Sequence, residues 1–488
     1  MLTQRAGREW ARALNLLVSL AFALLGGLFL AAHPDWLAAG IVLALLAGAV
    51  LDALLARISR PGLSAQQLPG FRVAWYFGHP PFAPGRLLAL LGLMAAMCGL
   101  PEWVFYTCGL LGLAYGLVAA AMLVAERRTG RTAGRVVAAL GEYQPRCYLY
   151  YSDTLAGGYQ LAMWLPYFER AGLRYALLLR DASFAAQARQ LTGAPIVLAR
   201  WMKSVEQALV PSVGAVFYVN NEARNAECVR FPRVTHVHLG HGDSDKSASF
   251  QPFTAMFDQI FVAGQAAIDR YGEHGVEIPR AKFTIVSRPQ LERLSTEPGP
   301  RPPVVLYAPT WQGGLDDMRL SSLPFGEELV RALLELGARV VFRPHPYSLR
   351  GGEPLAQVRR VDALLRGRGE TSADTREADL FELMNRSSAL VADVSSLASD
   401  YLYTGKPLAI VKTGPENPPI METAYVLEPG HLRAPLELLL GDDPLRETRL
   451  AKRGYFLGDI DEADPAAPFI AALRAATEGK AANMGRTG

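Results

Sequence analysis

The sequence predicts an α/β protein with two doubly wound, Rossmann-like domains, preceded by an α-helical membrane region of about four spans. Apolar runs fill the first quarter of the chain, and short β-rich runs alternate with amphipathic stretches after it. The Pro-rich segment "PGPRPP" at 298–303 divides the alternating part in two. The predicted boundaries are a membrane region at 1–125, a connector at 126–145, α/β domains at 146–297 and 298–475, and a flexible tail at 476–488.

The composition narrows the class of protein. At 488 residues, with 50% hydrophobic and 19% charged side chains, the chain has room for two or three domains and is apolar for a purely soluble protein. A formal net charge of +3 argues against a nucleic-acid-binding protein, which usually shows a concentrated basic face. The 4 cysteines include no CxxC pair, so neither a disulfide framework nor a zinc site is indicated.

The membrane prediction rests on segments near the length that crosses a bilayer core, about 20 apolar residues. They are 13–32, 37–55, 87–100 and 104–125. Arginines precede the first segment, separate the two pairs and follow the last, whereas the short turns within each pair lack Lys and Arg. The positive-inside rule then predicts a multi-pass protein of the cell membrane with both α/β domains on the cytoplasmic side. The third segment is short and contains glycine, so a shallow or re-entrant hairpin is the alternative.

After the connector, strands and helices alternate, as right-handed βαβ units and parallel sheets require. Strands are predicted at 147–151, 175–179, 196–198, 216–219, 235–239, 259–263, 283–287, 304–308, 339–343, 389–393 and 408–411. Helices are predicted at 159–169, 185–190, 202–209, 222–228, 327–336, 380–385 and 397–403.

Ligands of parallel α/β sheets bind beyond the carboxyl ends of the strands, and a histidine follows the strand at 235–239. His241 lies between two glycines, which allow close approach of a substrate, and imidazole suits proton abstraction from a hydroxyl near pH 7. Asp243 or Asp245 could orient the ring, and Lys246 could help to organise the substrate. The alternative is a histidine with a purely structural role.

Two further clusters suit phosphate binding. Arg343 and His345 follow the strand at 339–343 in a proline-braced turn, where a guanidinium offers paired donors to phosphate oxygens. Asp393, Ser395 and Ser396 lie between a strand and a helix, whose N-terminus favours an anion. An exposed strand-end turn and a simple helix cap are the respective alternatives.

A fourth cluster, "VLYAPTWQGG" at 305–314, places Thr310 and Trp311 after a strand. Thr310 could donate to phosphate, and an ordinary loop with a buried Trp is the equal alternative. Gly157 and Gly158 open a helix and could line the acceptor side.

The ordered set of motifs resembles the CDP-glycerol glycerophosphotransferase family, the teichoic-acid primases and polymerases with a two-domain glycosyltransferase-B fold. The motifs are "HGDSDK" at 241–246, "YAPTW" at 307–311, "RPHP" at 343–346 and "DVSS" at 393–396 with Asp400. The resemblance covers roughly 147–475. Asp243 stands where the family usually has Thr, and it adds negative charge near an anionic substrate.

The resemblance implies that 146–297 is the acceptor-side domain and 298–475 the domain that binds the nucleotide donor. His241 would activate an acceptor hydroxyl, with Gly242, Asp243, Asp245 and Lys246 on the acceptor side. The donor pyrophosphate would be held by His345, Arg343, Ser395 and Ser396, with Asp393 and Thr310 beside it. The hydroxyl would attack the β-phosphorus of a CDP-alditol and release CMP.

The expected partners are a CDP-alditol, most simply CDP-glycerol, and a lipid-linked or polymeric cell-envelope acceptor at the membrane. No cofactor, metal or nucleic acid is expected. Two alternatives stay open at this point. One is a nucleotide-sugar glycosyltransferase or epimerase of the same fold, and the other is a degenerate, non-catalytic binding protein anchored in the membrane.

Overall fold

The computed structural model describes residues 62–72, 88, 91–92, 94, 98, 100–153, 158–245, 249–312, 320–461 and 463–484. The chain divides into two compact units. The first comprises 1–142 and 197–208, and the second comprises 143–196 and 209–488. The predicted spans at 13–32 and 37–55, and most of 87–100, lie outside the described residues.

The described part of the chain alternates strands and helices. The strands are β1 (Leu63–Gln66), β2 (Cys147–Tyr151), β3 (Tyr175–Leu179), β4 (Ile196–Ala199), β5 (Ala215–Tyr218), β6 (Thr235–His238), β7 (Gln259–Val262), β8 (Phe283–Ile285), β9 (Val304–Ala308), β10 (Arg339–Phe342), β11 (Ala389–Ala392), β12 (Leu408–Val411) and β13 (Tyr425–Leu427). The α-helices are α1 (Glu102–Thr129), α2 (Arg131–Tyr143), α3 (Gly158–Ala162), α4 (Leu165–Arg170), α5 (Ala185–Leu191), α6 (Met202–Ala208), α7 (Asn225–Val229), α8 (Gln265–Glu273), α9 (Gly326–Glu335), α10 (Gly352–Leu365), α11 (Ser372–Thr375), α12 (Leu380–Asn385), α13 (Ser396–Tyr401), α14 (Arg433–Leu440), α15 (Arg446–Leu457) and α16 (Ala467–Met484).

The first unit contains β1, which neighbours β4, and the helices α1 and α2. The fourth predicted span, 104–125, is helical as part of α1. Within the described ranges, no helix combines the length and the apolar character needed to traverse a bilayer. The described residues therefore give the predicted four-span region no support.

The second unit contains two parallel sheets, which confirm the predicted α/β class. In the first sheet its strands run in the order β3-β2-β5-β6-β7-β8. Strands β2 to β6 of this unit are buried along their whole length, as expected where helices cover both faces of a parallel sheet. All carboxyl ends lie at the same edge, where β2, β5, β6 and β8 deliver the loops of the candidate site.

The second sheet has the order β10-β9-β11-β12-β13, and all its pairs are parallel. Alternate residues of β9 enter opposite cores: Leu306 and Ala308 pack in one cluster, and Val305 and Tyr307 in the other. This sheet therefore has an apolar core on each face, which is the doubly wound arrangement.

Several elements differ from the predictions. The helix predicted at 159–169 is two helices, α3 and α4, because Pro166 lacks an amide proton and occupies the first turn of α4. Strands β1 and β13 were not predicted, and β1 lies inside the range assigned to the membrane region.

The predicted flexible tail, 476–488, begins inside α16, which continues to Met484. Ala476 and Thr477 are buried, and the helix packs against β5, β6 and α4 of the first sheet. The C-terminal helix thus returns to the first sheet after the chain has completed the second.

Candidate active site

His241 lies in the loop that follows β6, at the carboxyl edge of the first sheet. Gly240 turns the chain there with a φ of +64°, which glycine adopts without strain. The His241 Nδ1 atom lies 3.1 Å from the carbonyl oxygen of Val219, the residue after β5. Because a carbonyl oxygen only accepts, Nδ1 carries the proton and Nε2 keeps its lone pair. The ring is therefore held in the tautomer that a general base at Nε2 requires.

The surroundings of His241 favour its neutral form. Burial lowers the pKa of the imidazole, and the Arg288 guanidinium lowers it further, although the Val219 carbonyl and Asp153 act in the opposite direction. The Tyr159 ring meets the imidazole edge-on, with ring centroids 6.0 Å apart. His241 is thus unprotonated on Nε2 at neutral pH and lies beside a residue of α3.

The orienting role predicted for Asp243 and Asp245 is corrected by the structure. Both carboxylates bind Arg270 of α8: its Nε lies 2.8 Å and its Nη2 2.6 Å from Asp245 Oδ1, and its Nη1 contacts Asp243 Oδ1. A buried guanidinium attracts carboxylates more strongly than a neutral imidazole does, so the backbone of Val219 orients His241 instead. Lys246 lies outside the described residues.

A buried ion pair that the sequence analysis did not assign to the site connects the two sheets beside His241. Arg288, in the loop after β8, donates from Nε and Nη2 to the two carboxylate oxygens of Asp400 on α13, at 2.7 and 2.9 Å. Ser287, just before it, has a φ of +58°, a strained value for a residue other than glycine. The position of Arg288 directly after a strand was the signal that could have identified it.

The His241 loop and the turn that carries Ser395 and Ser396 meet at Gly242. A Cβ atom on Gly242 would lie 2.7 Å from the hydroxyl oxygen of Ser396, the first residue of α13. The Ser395 hydroxyl oxygen is buried and forms no hydrogen bond with any described residue. The His241 loop therefore approaches the N-terminus of α13 closely, next to the Ser395 hydroxyl that has no hydrogen-bond partner among the described residues.

Asp393 and Thr310, predicted beside the phosphates, brace neighbouring loops. The buried Asp393 carboxylate accepts from the backbone amides of Thr310 at 2.7 Å and Ser322 at 3.0 Å. The Thr310 carbonyl accepts from the Ser321 hydroxyl at 2.7 Å. A buried carboxylate would repel a phosphate, so the contribution of Asp393 is to shape the loops around the site.

His345 follows β10, at the carboxyl edge of the second sheet, and its Nδ1 accepts from the backbone amide of Tyr347 at 3.1 Å. An accepting Nδ1 places the proton of the neutral ring on Nε2. The neutral His345 ring therefore offers a hydrogen-bond donor at Nε2, whereas the neutral His241 ring offers an acceptor at Nε2. Its ring lies 6.2 Å from that of Trp311 and 5.0 Å from that of Tyr347.

Arg343, two residues before His345, has a half-buried side chain. Burial lowers the pKa of its guanidinium, while Glu377 and Asp379 oppose the shift. Among the described residues, its guanidinium forms no hydrogen bond or salt bridge. A charged group kept partly desolvated in this way is suited to an anionic ligand.

A tyrosine lies beside each of the two histidines. Burial raises the pKa of Tyr159, and the charge of Tyr347 raises it further. Tyr159 contacts His241 and Tyr347 contacts His345.

Among the described residues, no group of three or more His, Cys, Asp or Glu side chains is placed to hold a metal ion.

Comparison with known families matches one segment of the chain. Residues 253–414 match the family described as CDP-Glycerol:Poly(glycerophosphate) glycerophosphotransferase, about a third of the chain. The match confirms, for this segment, the resemblance inferred from the motifs, and it supports a CDP-glycerol glycerophosphotransferase-like enzyme. Arg343, His345, Ser395 and Ser396 lie inside the matched segment, and His241 lies outside it. A comparison with curated protein sequences found no match.

Solved structures similar to this chain include three of different activity. The wall teichoic acid polymerase TagF is 13% identical, with a TM-score of 0.46 over 72% of this chain and 96% of that one. A candidate UDP-N-acetylglucosamine 2-epimerase from Listeria monocytogenes is 11% identical, with a TM-score of 0.48 over 68% and 96%. A glycosyltransferase from Rickettsia africae is 10% identical, with a TM-score of 0.43 over 68% and 98%.

Proposed function

We propose that this protein is a membrane-anchored transferase of glycosyltransferase-B type that moves an alditol phosphate, most simply glycerol phosphate, from a CDP-linked donor. The acceptor is a hydroxyl of a lipid-linked or polymeric cell-envelope molecule, and CMP is released. The match of residues 253–414 to the glycerophosphotransferase family supports the reaction class. Two parallel doubly wound sheets in one unit support the fold type.

The observation that carries this proposal is the opposite protonation of the two histidines. His241 donates from Nδ1 to a carbonyl and keeps a lone pair on Nε2, whereas His345 accepts at Nδ1 and carries its proton on Nε2. One imidazole can therefore take a proton from an incoming hydroxyl, while the other donates to a phosphate oxygen. This asymmetry suits a phosphoryl transfer from a pyrophosphate to a hydroxyl, which needs a proton acceptor at the hydroxyl and donors at the phosphate.

In the proposed step, the acceptor O–H bond breaks and its proton passes to His241 Nε2. The acceptor oxygen forms a bond to the β-phosphorus, and the bond from that phosphorus to the bridging oxygen breaks, with its electron pair leaving on CMP. His345 and Arg343 donate to the phosphate oxygens as charge develops. Ser395 and Ser396 supply hydroxyls on the same side. The products are a phosphodiester and CMP.

Membrane attachment is also part of the proposal. The apolar segments 13–32 and 37–55 have the length of bilayer spans, and α1 exposes apolar side chains that include Leu110 and Leu117. We place both ends of the membrane region and the catalytic unit on the cytoplasmic side. After alkaline carbonate extraction, the full chain should remain in the membrane pellet, and its release into the supernatant would contradict this placement.

The reaction class is tested by identifying the nucleotide product. Detergent-purified protein is supplied with a lipid-linked glycerol-phosphate acceptor and, in parallel, with CDP-glycerol, CDP-ribitol and UDP-sugars. CMP from a CDP-alditol is the expected product. UDP from a sugar donor would replace the proposal with the glycosyltransferase alternative. No product from any donor, with the acceptor confirmed intact, would favour the non-catalytic binding protein.

A further inference from the structure

Arg270 ties the loop after His241 to helix α8. The Arg270 side chain is only 4% exposed, and its guanidinium contacts both Asp243 and Asp245. The two carboxylates are two and four residues beyond His241 in the chain. Burial alone would lower the pKa of Arg270, yet the two carboxylates raise it above its usual value. One buried cation therefore compensates part of a pair of adjacent negative charges.

The same loop is confined on its other side. Gly242, between His241 and Asp243, approaches the Ser396 hydroxyl so closely that a Cβ atom would overlap it. The loop therefore contacts both Arg270 of α8 and the first residue of α13. A shift of Asp243 would move the backbone of Gly242 and, with it, the His241 ring.

The charges of this loop have the wrong sign for binding an anionic substrate unless a cation compensates them. Asp243 is near enough to act electrostatically on Arg288 and on Asp400, which lies on α13 with Ser396. Arg288 is already paired with Asp400, so it cannot fully compensate Asp243 as well. Without Arg270, both carboxylates would be unpaired, and Asp243 directly follows Gly242, which approaches the Ser396 hydroxyl. Like charges repel strongly in a partly desolvated site.

We infer that Arg270 is a positioning residue for donor binding, which holds Asp243 and Asp245 in ion pairs and so allows an acidic loop to carry His241 next to a pyrophosphate. The inference rests on the proposed function. It also accounts for Asp243 at a position where the resembling family has Thr: the extra negative charge is matched by a buried cation from α8.

The test compares kinetic constants of Arg270→Gln, Asp243→Asn and the double variant with those of the wild type, using CMP release from CDP-glycerol. Arg270→Gln should raise the KM for CDP-glycerol at least tenfold, and added NaCl should reduce that increase because salt screens the repulsion. Arg270→Lys, which keeps the charge, should stay within threefold of the wild type. Asp243→Asn should lower the KM for CDP-glycerol, because it removes a negative charge near the donor, and the double variant should recover most of the loss.

A second buried arginine provides the matched control. Arg449 is fully buried, and its carboxylate partner is Asp443 instead of a residue of the His241 loop. Arg449→Gln should lower the Tm without raising the KM. The inference is overturned if Arg270→Gln lowers the Tm but leaves the KM unchanged, or if the double variant is no better than Arg270→Gln. Should Arg270→Gln not fold, Asp243→Asn decides alone: a KM more than threefold above the wild type overturns the inference.

Failure of the proposed function is distinguishable from failure of this inference. If the wild type releases no CMP from CDP-glycerol, the proposed function fails. Calorimetric titration with inorganic pyrophosphate then tests Arg270 by itself. Tighter binding to the wild type than to Arg270→Gln supports the inference, and equal binding, including none by either, overturns it.

Discussion

The two histidines of the candidate site differ in which ring nitrogen carries the proton, and backbone groups decide this in both cases. The Val219 carbonyl fixes His241, and the Tyr347 amide fixes His345. Neither backbone partner can be identified from the sequence, because each depends on how neighbouring loops pack. The positions of both histidines could be predicted, since each follows a β-rich run closely.

The lowered pKa of His241 predicts the pH dependence of activity. A general base works in its unprotonated form, so a pKa below the usual value of about 6.5 extends activity to lower pH. We expect the acidic limb of the kcat/KM profile for CDP-glycerol to have an apparent pKa below about 6.5. Asp153→Asn should shift this limb further down, because it removes a carboxylate that raises the pKa of His241. An acidic limb above pH 7 in the wild type would contradict the assignment.

Some residue contacts could not be predicted from sequence patterns. Asp243 and Asp245 are close to His241 in the sequence, yet they pair with Arg270, which lies on helix α8. The motif analysis included Asp400 but not its partner Arg288, 112 residues earlier. Long-range ion pairs of this kind leave no periodic signal in the sequence.

At the scale of elements, the buried parallel strands were the most predictable part of the fold. Strands such as β2 ("CYLYY") and β9 ("VVLYA") are almost wholly apolar, and polar residues bound the first while prolines bound the second. Strand β1 ("LSAQ") has no β-branched or aromatic residue, and β13 has only three residues, so neither carries a recognisable pattern. Each is a strand because it pairs with a neighbouring strand of its sheet.

The docking of α16 on the first sheet gives a stability prediction. A Cβ atom on Gly214, just before β5, would overlap the carbonyl oxygen of Thr477 in α16. Gly214→Ala should therefore lower the free energy of unfolding by about 2 kcal/mol, within the range for overpacked sites. Urea denaturation of the purified protein measures this change.

Gly272→Ala is the control for that substitution. Gly272 lies within α8, and an added Cβ would meet nothing within 4 Å. Because alanine favours helices more than glycine does, the change should be neutral or should stabilise the protein by up to about 1 kcal/mol. Equal losses in both variants would show that α16 does not pack on β5 as described.

At the scale of the second unit, the Arg288 and Asp400 pair joins the loop after β8 of the first sheet to α13 of the second. Removing one partner of a buried pair leaves an uncompensated charge, so Asp400→Asn should destabilise the protein by about 3 kcal/mol. Replacing both residues, as in Arg288→Met with Asp400→Leu, should restore much of this stability but not CMP release.

An exposed bridge offers the comparison for this pair. Arg170 also joins distant segments, through Glu292 and Asp464, but its side chain is 43% exposed. Arg170→Gln should change the free energy of unfolding by less than about 1 kcal/mol. If Asp400→Asn were as mild as Arg170→Gln in the same urea titration, the pair would not be a buried connection between the sheets.

The central claim is that His241 and His345 act together on a CDP-alditol. Its most direct test is CMP release from CDP-glycerol, with a lipid-linked glycerol-phosphate acceptor, by the wild type, His241→Ala and His345→Ala. The exposed His431 supplies the control variant, His431→Ala. We predict at least a hundredfold loss of kcat/KM for each site variant, with unchanged Tm and an unchanged His431→Ala enzyme. Wild-type rates in folded His241→Ala or His345→Ala protein would contradict the account.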